Sequence, residues 1–298
     1  MAQTRLMQLI NEEGVFPQKW TRKDEVDQAS IDSITEKILA KLTPQDIVEH
    51  NIAAYSNSVE EYGQKESNRL ATPDLPHFID IMPNNGLVLD LAAGHLRDSQ
   101  YMIDPSCRDE LNKKGMVSPP PDKRLRVIPL EGSVEFIKRN LYKLQPNLAS
   151  VPLIVRGDFM KPGEGEAFYS NDKELESVFT QGKLKPVLDG IWSCAGYMVH
   201  MVPGKLDETT ARWLETLKTG GVFAVSYIKR KEGNGPIKLL ASMSAPGEIK
   251  VFSHYTPTEV DKAFSSAGMK LIGTSSGDYG GHGYIMSDFF GDSMYRKV

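Results

Sequence analysis

The chain has 298 residues, of which 40% are hydrophobic and 25% charged; this is length and apolar content for one large α/β domain with an appended segment, and it excludes wholesale disorder. A formal charge of −4 argues against a nucleic-acid partner, since releasing phosphate counterions needs a net positive face. Two cysteines, Cys107 and Cys194, supply neither a disulfide framework nor a zinc pattern and fit a reducing cytoplasm, which is the expected location.

No apolar run approaches the ~18 residues of a membrane span, and Leu6 to Ile10 is too short for a signal-peptide core, so no membrane partner is expected. Residues 1–28 show no clear period; Val15-Phe16-Pro17 and Trp20 read as anchors onto something else. Ile31, Ile34, Ile38, Leu39 and Leu42 recur at helical spacing. Thr43-Pro44 then supplies an N-cap and an N1 proline for a second helix through Ile47, Val48, Ile52, Tyr55, Val59 and Tyr62. Two amphipathic helices thus precede the first strand, and residues 1–63 read as a helical cap or lid on a core of residues 64–298.

Leu87 to Leu91 is a buried strand carrying one acid, Asp90, and it breaks into Ala92-Ala93-Gly94-His95-Leu96 before Arg97-Asp98-Ser99 opens a helix. Such a strand, tight turn and helix exposes backbone N–H groups at a helix N-terminus, where small residues let a ligand approach the main chain. The segment resembles motif I of the class I S-adenosylmethionine-dependent methyltransferases, commonly Leu-Asp-Leu-Gly-x-Gly-x-Gly. Gly94 keeps the central glycine; Ala92 and Leu96 stand where the family has the first and third. Alanine at a positive φ would cost roughly 1 kcal/mol, so ordinary dihedrals are expected at Ala92, and Leu96 is expected to hold the helix slightly off the strand.

The resemblance continues in order to about residue 290. Cys107 to Lys123, with three consecutive prolines, reads as a loop insertion, followed by a strand Leu125 to Leu130 ending in Glu131-Gly132. In dinucleotide folds an acid there accepts ribose hydroxyls about 20 residues past the glycines; Glu131 lies 37 past Gly94, the insertion accounting for the excess. Val151 to Val155 is a third strand running into Gly157-Asp158-Phe159, and the resemblance implies that Asp158 meets the adenine amino group and Phe159 its ring. Residues 161–185 read as a solvated excursion with one short helix. Val187 to Cys194, with the exit Ala195-Gly196-Tyr197-Met198-Val199-His200-Met201-Val202-Pro203, resembles motif IV, placing Ser193 and Cys194 at the cofactor. A fifth strand, Val222 to Ile228, follows the turn Lys218-Thr219-Gly220-Gly221. Thr256-Pro257-Thr258-Glu259 is a capping box, and strands Met269 to Thr274 and Gly283 to Phe290 should pair antiparallel.

The expected architecture is an α/β, Rossmann-like, mostly parallel seven-stranded sheet with an antiparallel C-terminal strand and N-terminal cap helices. The resemblance implies S-adenosyl-L-methionine as cofactor, contacted by Tyr55, Tyr62, Asp90, Ala92, Gly94, Arg97, Glu131, Gly132, Asp158, Phe159, Ser193 and Cys194, and methyl transfer to a small molecule. A tyrosine face beside a sulfonium gains roughly 0.5–2 kcal/mol, although Tyr55 and Tyr62, seven apart, equally describe one face packed into a core. His200 lies where open α/β sheets bind ligands and is the candidate base or substrate-orienting group, or else a histidine bonded to loop backbone; Tyr197 and His254 are further candidates. No metal-ligand cluster is apparent. The Asn/Asp-Pro-Pro-Tyr segment of nucleobase amino-methyltransferases is absent. The alternatives are a protein of the same fold that binds the cofactor without transferring methyl, and a nicotinamide oxidoreductase, disfavoured because Gly-x-Gly-x-x-Gly is absent.

Overall fold

The structure is a computed structural model and describes residues 4–12, 28–60, 74–108, 122–202, 204–241, 249–274 and 290–298. Its strands are β1 (Leu87–Leu91), β2 (Arg126–Glu131), β3 (Leu153–Arg156), β4 (Glu166–Ser170) and β5 (Leu188–Ser193). They continue with β6 (Leu217–Lys229), β7 (Ile237–Ala241), β8 (Ile249–Tyr255), β9 (Met269–Thr274) and β10 (Phe290–Lys297). Helices α1 (Arg5–Glu12), α2 (Gln28–Leu39), α3 (Pro44–Asn57) and α4 (Asp74–Ile81) precede β1. After it come α5 (Arg97–Ile103), α6 (Val134–Asn140), α7 (Lys173–Thr180), α8 (Leu206–Leu214) and α9 (Pro257–Ser266).

The sheet runs β4-β3-β2-β1-β5-β6-β10-β9, with β3 to β6 mutually parallel along that path and β10 antiparallel to both neighbours. The expected sheet, parallel with an antiparallel C-terminal strand, is therefore present. β1 is buried along its whole length because it is covered on both faces, one apolar cluster holding Leu89 and Leu91 and the other Val88. Phe78 of α4 and Met82, just beyond its end, seal the second face over Gly190 of β5.

The structure departs from the sequence reading in several places. Residues 4–12 are not aperiodic: α1 buries Leu6, Leu9 and Ile10 at helical spacing. The excursion after β3 contains an edge strand, β4, antiparallel to β3; its residues are only half-buried, so the period-two signal is weak. β7 and β8 form an unforeseen antiparallel ribbon attached to the end of β6 through Ile228 and Lys229. The strand expected over Gly283 to Phe290 lies, except for Phe290, outside the described residues, and the last strand within them is β10, Phe290–Lys297. It stays in register with β6 over seven residue pairs, and Tyr295 stacks on Phe264 of α9 at 4.4 Å. The second helix, expected to reach Tyr62, is described to Asn57, and Tyr62 lies outside the described residues.

The N-terminal helices do not form a separate core. Leu6, Leu9, Ile34, Ile38, Ile47 and Val48 close over Leu239, Ile249 and Val251 of the β7–β8 ribbon. His50 of α3 ties them: its Nε2–H donates to the Ile249 carbonyl at 2.7 Å, and its Nδ1 accepts from the Thr4 hydroxyl at 2.8 Å.

The β5–α4 contact leaves no room for a side chain, since a Cβ at Gly190 would meet Phe78 Cζ at 2.8 Å and Met82 Sδ at 2.7 Å. Gly190→Ala should therefore destabilise the fold by about 1–3 kcal/mol, read as a lowered denaturant midpoint at unchanged slope; an unchanged midpoint would mean that α4 is free to move away.

Candidate active site

At the carboxyl ends of β1, β2, β3 and β5, beneath α3, a cleft encloses about 710 Å³ including its mouth, within the range of small-molecule sites. Its floor is the turn after β1. Ala92, Gly94 and Leu96 all take left-handed backbone conformations, with φ of 63°, 53° and 60°. The expectation of ordinary dihedrals at Ala92 is overturned: the backbone keeps the shape that glycines would allow, at a cost of about 1 kcal/mol for each residue bearing a side chain. Leu96 is fully buried in the cluster under α5. The Ala92 methyl is admitted because Gly196 faces it; a Cβ on Gly196 would lie 2.5 Å from that of Ala92.

Polar contacts hold the turn. The Glu131 carboxylate bridges the two lips, accepting from the Gly94 N–H and the Ser133 N–H, each at 2.8 Å. Burial raises its pKa while these N–H donors oppose the rise. Lys143 Nζ donates to the His95 carbonyl at 2.7 Å. Ser193, below the rim, donates to the Leu91 carbonyl at 2.9 Å. Behind the turn, Ser99 donates to Asp90 at 2.5 Å, and Asp98 accepts from Arg97 Nε at 2.7 Å and from Trp192 Nε1 at 2.9 Å. Burial, then the neighbouring Asp98 charge, raises Asp90 to about 7, whereas the Arg97 guanidinium and the Trp192 bond outweigh burial and keep Asp98 low.

Of the sequence-derived residues, Tyr55, Ala92, Gly94, Glu131, Gly132, Asp158, Phe159, Cys194 and His200 line this one cleft. Asp90, Arg97 and Ser193 lie outside its lining, in the support just described. Tyr197 is fully buried in the core: its hydroxyl is 2.9 Å from that of Thr210, and burial pushes its phenol pKa up. His254 is buried on β8 and outside the lining. Asp158 Oδ2 is buried without a hydrogen-bond partner, and burial raises the carboxyl's pKa.

At the α3 side His200 Nδ1 is 3.1 Å from the Val251 carbonyl, which only accepts, and 3.2 Å from the Asn51 Nδ2 amide, which only donates; in the tautomer that bonds the carbonyl, Nδ1 carries the proton. Nε2 is then the acceptor for the Tyr55 hydroxyl at 2.8 Å. Burial, with a smaller contribution from the Lys250 charge, lowers His200 to about 4. Asn51, one helical turn before Tyr55, pairs with both backbone groups of Val251 at 2.9 and 3.0 Å, and Lys250 Nζ stands 3.4 Å from the Tyr55 ring centroid. Sequence reading missed Asn51 and Lys250. Asn51 was within reach of it, four residues before Tyr55 and hence on the same helical face; Lys250 was not, its strand being unrecognised.

No protein-family model matches the chain, and no curated protein does. Among solved structures it is similar to the Burkholderia thailandensis 1,6-didemethyltoxoflavin-N1-methyltransferase, bound to 1,6-didemethyltoxoflavin and S-adenosylhomocysteine, at 15% identity and a TM-score of 0.51, over 86% of this chain and 91% of that one. It is similar also to the CcbJ methyltransferase of Streptomyces caelestis, at 15% identity and a TM-score of 0.52, over 82% and 98%. The fold is that of a class I S-adenosylmethionine-dependent methyltransferase. Among the described residues no helix is long and apolar enough to cross a membrane, and no three His, Cys, Asp or Glu side chains gather to hold a metal ion.

The Ala92–Gly196 contact is reciprocal. Gly196→Ala should destabilise the protein and weaken S-adenosylhomocysteine binding, and adding Ala92→Gly should recover most of both losses; purely additive effects would mean that the two positions do not share the space. Asp90 gives a separate signature. The folded chain holds a proton there up to about pH 7, while the unfolded chain releases it near pH 4, so its contribution to stability is complete below about pH 4 and is lost on going to about 7. Thermal melts of wild type and Asp90→Asn across that window should show the wild-type advantage shrinking as pH rises, and a pH-independent difference would contradict it.

Proposed function

We propose that the chain is a methyltransferase that moves the methyl of S-adenosyl-L-methionine to a small organic acceptor by in-line displacement, in a cleft capped by the helices of residues 1–63. The observation that carries this reading is the meeting, in one cleft of this fold, of a glycine-type turn, a carboxylate with spare acceptor capacity and an orphan carboxylate oxygen. The residues fit the cofactor. Each oxygen of Glu131 takes one backbone N–H and keeps a lone-pair site for a ribose hydroxyl. Asp158 Oδ2 has no other donor to satisfy it, as an adenine amino group would, and Phe159 offers an apolar surface beside it.

Bound there, S-adenosylmethionine supplies an electrophilic methyl on a sulfonium. The protein's part is to align the acceptor and exclude water. Tyr55 gives its proton to His200 Nε2, which leaves the phenol oxygen's lone pairs to receive an O–H or N–H of the acceptor. A histidine held near 4 is a weak proton acceptor at neutral pH, so the role assigned to His200 is to orient Tyr55. The Lys250 cation on the Tyr55 ring fixes that ring further.

Calorimetry with S-adenosylhomocysteine tests the cofactor: binding should be tight in wild type and at least about tenfold weaker in Glu131→Ala, with NADH silent. Absence of S-adenosylhomocysteine binding would overturn the reading. With an acceptor found by screening for S-adenosylhomocysteine release, Tyr55→Phe should retain cofactor affinity and lose about 10²-fold in turnover. Wild-type turnover should show no rising limb near pH 6.5; such a limb would make His200 the proton acceptor instead.

A further inference from the structure

The start of α4 and the ends of β5, β6 and β10 enclose a second space that the proposed reaction does not use. Phe78 of α4 packs on Trp192 of β5 with ring centroids 5.2 Å apart, and Asp74, four residues earlier, lies one turn along the same helical face. Trp192, Ala224 and Met294 belong to the apolar cluster on that side of the sheet, and Cys194 packs against it. Side chains alternate along a strand, so Ser226, two past Ala224, and Asp292, two before Met294, turn to the same side; in the register of β6 and β10 they stand opposite each other. The result is a cavity of about 260 Å³ including its mouth, with Asp74, Asp292, Trp192, Cys194, Ser226 and Thr274 in its wall.

Asp74 is only 4% exposed, and its Oδ2 is buried without a hydrogen-bond partner. A buried oxygen left in this way is costly unless something completes it. Burial raises the Asp74 carboxyl, and the Asp292 carboxyl lies within hydrogen-bonding reach of it. Two carboxyls this close keep one proton between them and together carry one negative charge. Among the described residues no Lys, Arg or His lines the cavity. An anion would meet repulsion there, and a neutral hydroxyl or amide would donate to Oδ2 without bringing charge. An ammonium group supplies both the donor and the charge.

We propose that this cavity seats an ammonium group on Asp74 Oδ2, and that the methyl acceptor is a small organic amine that carries it. The word acceptor rests on the methyltransferase reading; the ammonium seat does not. The cavity and the cleft adjoin at the exit of β5: Cys194 lines both, and the N–H of Ala195, which lines the cleft, donates to the Ser226 hydroxyl in the cavity wall. A molecule anchored in the cavity by its cation therefore presents its remaining atoms toward the cleft. A protonated nitrogen has no lone pair to attack with, so the ammonium is the anchor and a second, nucleophilic atom takes the methyl. The α-ammonium of the cofactor is the other source of the same chemistry, and the experiment separates the two.

Full-length protein labelled with ¹⁵N at tryptophan is titrated, without cofactor, with butylamine, butanol or butyrate while the Trp192 indole resonance, assigned through Trp192→Phe, is followed. Butylamine should shift that resonance saturably, with a Kd at least about tenfold below that of butanol, and butyrate should leave it unmoved. The preference for the amine should collapse in the isosteric variants Asp74→Asn and Asp292→Asn and survive in Asp80→Asn, on the exposed side of α4. Equal binding of butylamine and butanol, a silent Trp192 resonance, or a preference that persists in both Asp74→Asn and Asp292→Asn would overturn the seat. S-adenosylhomocysteine affinity should be unchanged in Asp74→Asn; a tenfold loss would make the cofactor's ammonium the occupant and overturn the acceptor assignment. In the acceptor screen, ammonium-bearing molecules should turn over, with a KM raised at least about tenfold in Asp74→Asn; turnover of uncharged acceptors alone would overturn that assignment too. Failure of S-adenosylhomocysteine to bind strikes the methyltransferase reading alone, since the amine titration needs no cofactor.

Discussion

The Glu131 carboxylate takes one backbone N–H from each of two turns, Gly94 after β1 and Ser133 after β2, and this bridge sets the spacing of the cleft's lips. It is also one of the contacts that hold the turn after β1 in a costly shape. Two of its left-handed residues bear side chains, and each favours relaxing to a right-handed or extended conformation. What opposes relaxation is distributed: burial of Leu96, the Lys143 bond to the His95 carbonyl, and the space that Gly196 leaves for the Ala92 methyl. The glycine has in effect moved from the turn to the strand exit opposite it. The turn's shape survives the substitution because the steric requirement is on the pair, one methyl between two chains, and not on either position.

How much of this was legible follows from where the physics is local. β1, β2, β3, β5 and β9 were readable because each is a short apolar run bounded by turn residues; of β6 only the apolar part, Val222 to Ile228, was readable, since Lys218 to Gly221, expected as a turn, belongs to the strand, and the N-cap at Thr43 and the capping box at Thr256 are formed as expected. β7 and β8 were not: Ile249-Lys250-Val251-Phe252-Ser253-His254-Tyr255 has a lysine and a histidine on its second face, and neither is expected in a buried strand. The site followed the same division. Residues carried by the motif turns could be named from the chain, and most of them share one cleft. Positions fixed by a distant element could not, which is why Tyr197, adjacent to the cleft in sequence, points into the core toward Thr210. The dihedral at Ala92 failed for a related reason: the cost of a left-handed alanine is local, while its compensation at Gly196 lies about a hundred residues away.

α3 shows how one helical face couples the cap to the chemistry. His50, Asn51 and Tyr55 lie within a turn and a half, and each reaches a different part of the same strand neighbourhood: the Ile249 carbonyl, both backbone groups of Val251, and His200. Asn51 completes the hydrogen bonding of Val251 much as a neighbouring strand would, so α3 can lie against the exposed edge of β8 without leaving orphan backbone groups. A helix anchored in that way cannot slide without breaking buried bonds, and the Tyr55 hydroxyl is consequently held in one place relative to the Glu131 bridge across the cleft.

The β7–β8 ribbon joins two requirements that pull in opposite directions. One face must be apolar to close against the N-terminal helices, and the other must tolerate water-seeking cations beside a cleft. A two-stranded ribbon meets both because its period of two separates alternate side chains completely, giving Ile249, Val251 and Leu239 to the cap and Lys250, His254 and Lys238 to the other side. A helix in the same place would grade one character into the other over its circumference. Burying the Lys250 ammonium is costly in itself, and the Tyr55 ring beneath it offsets part of that cost.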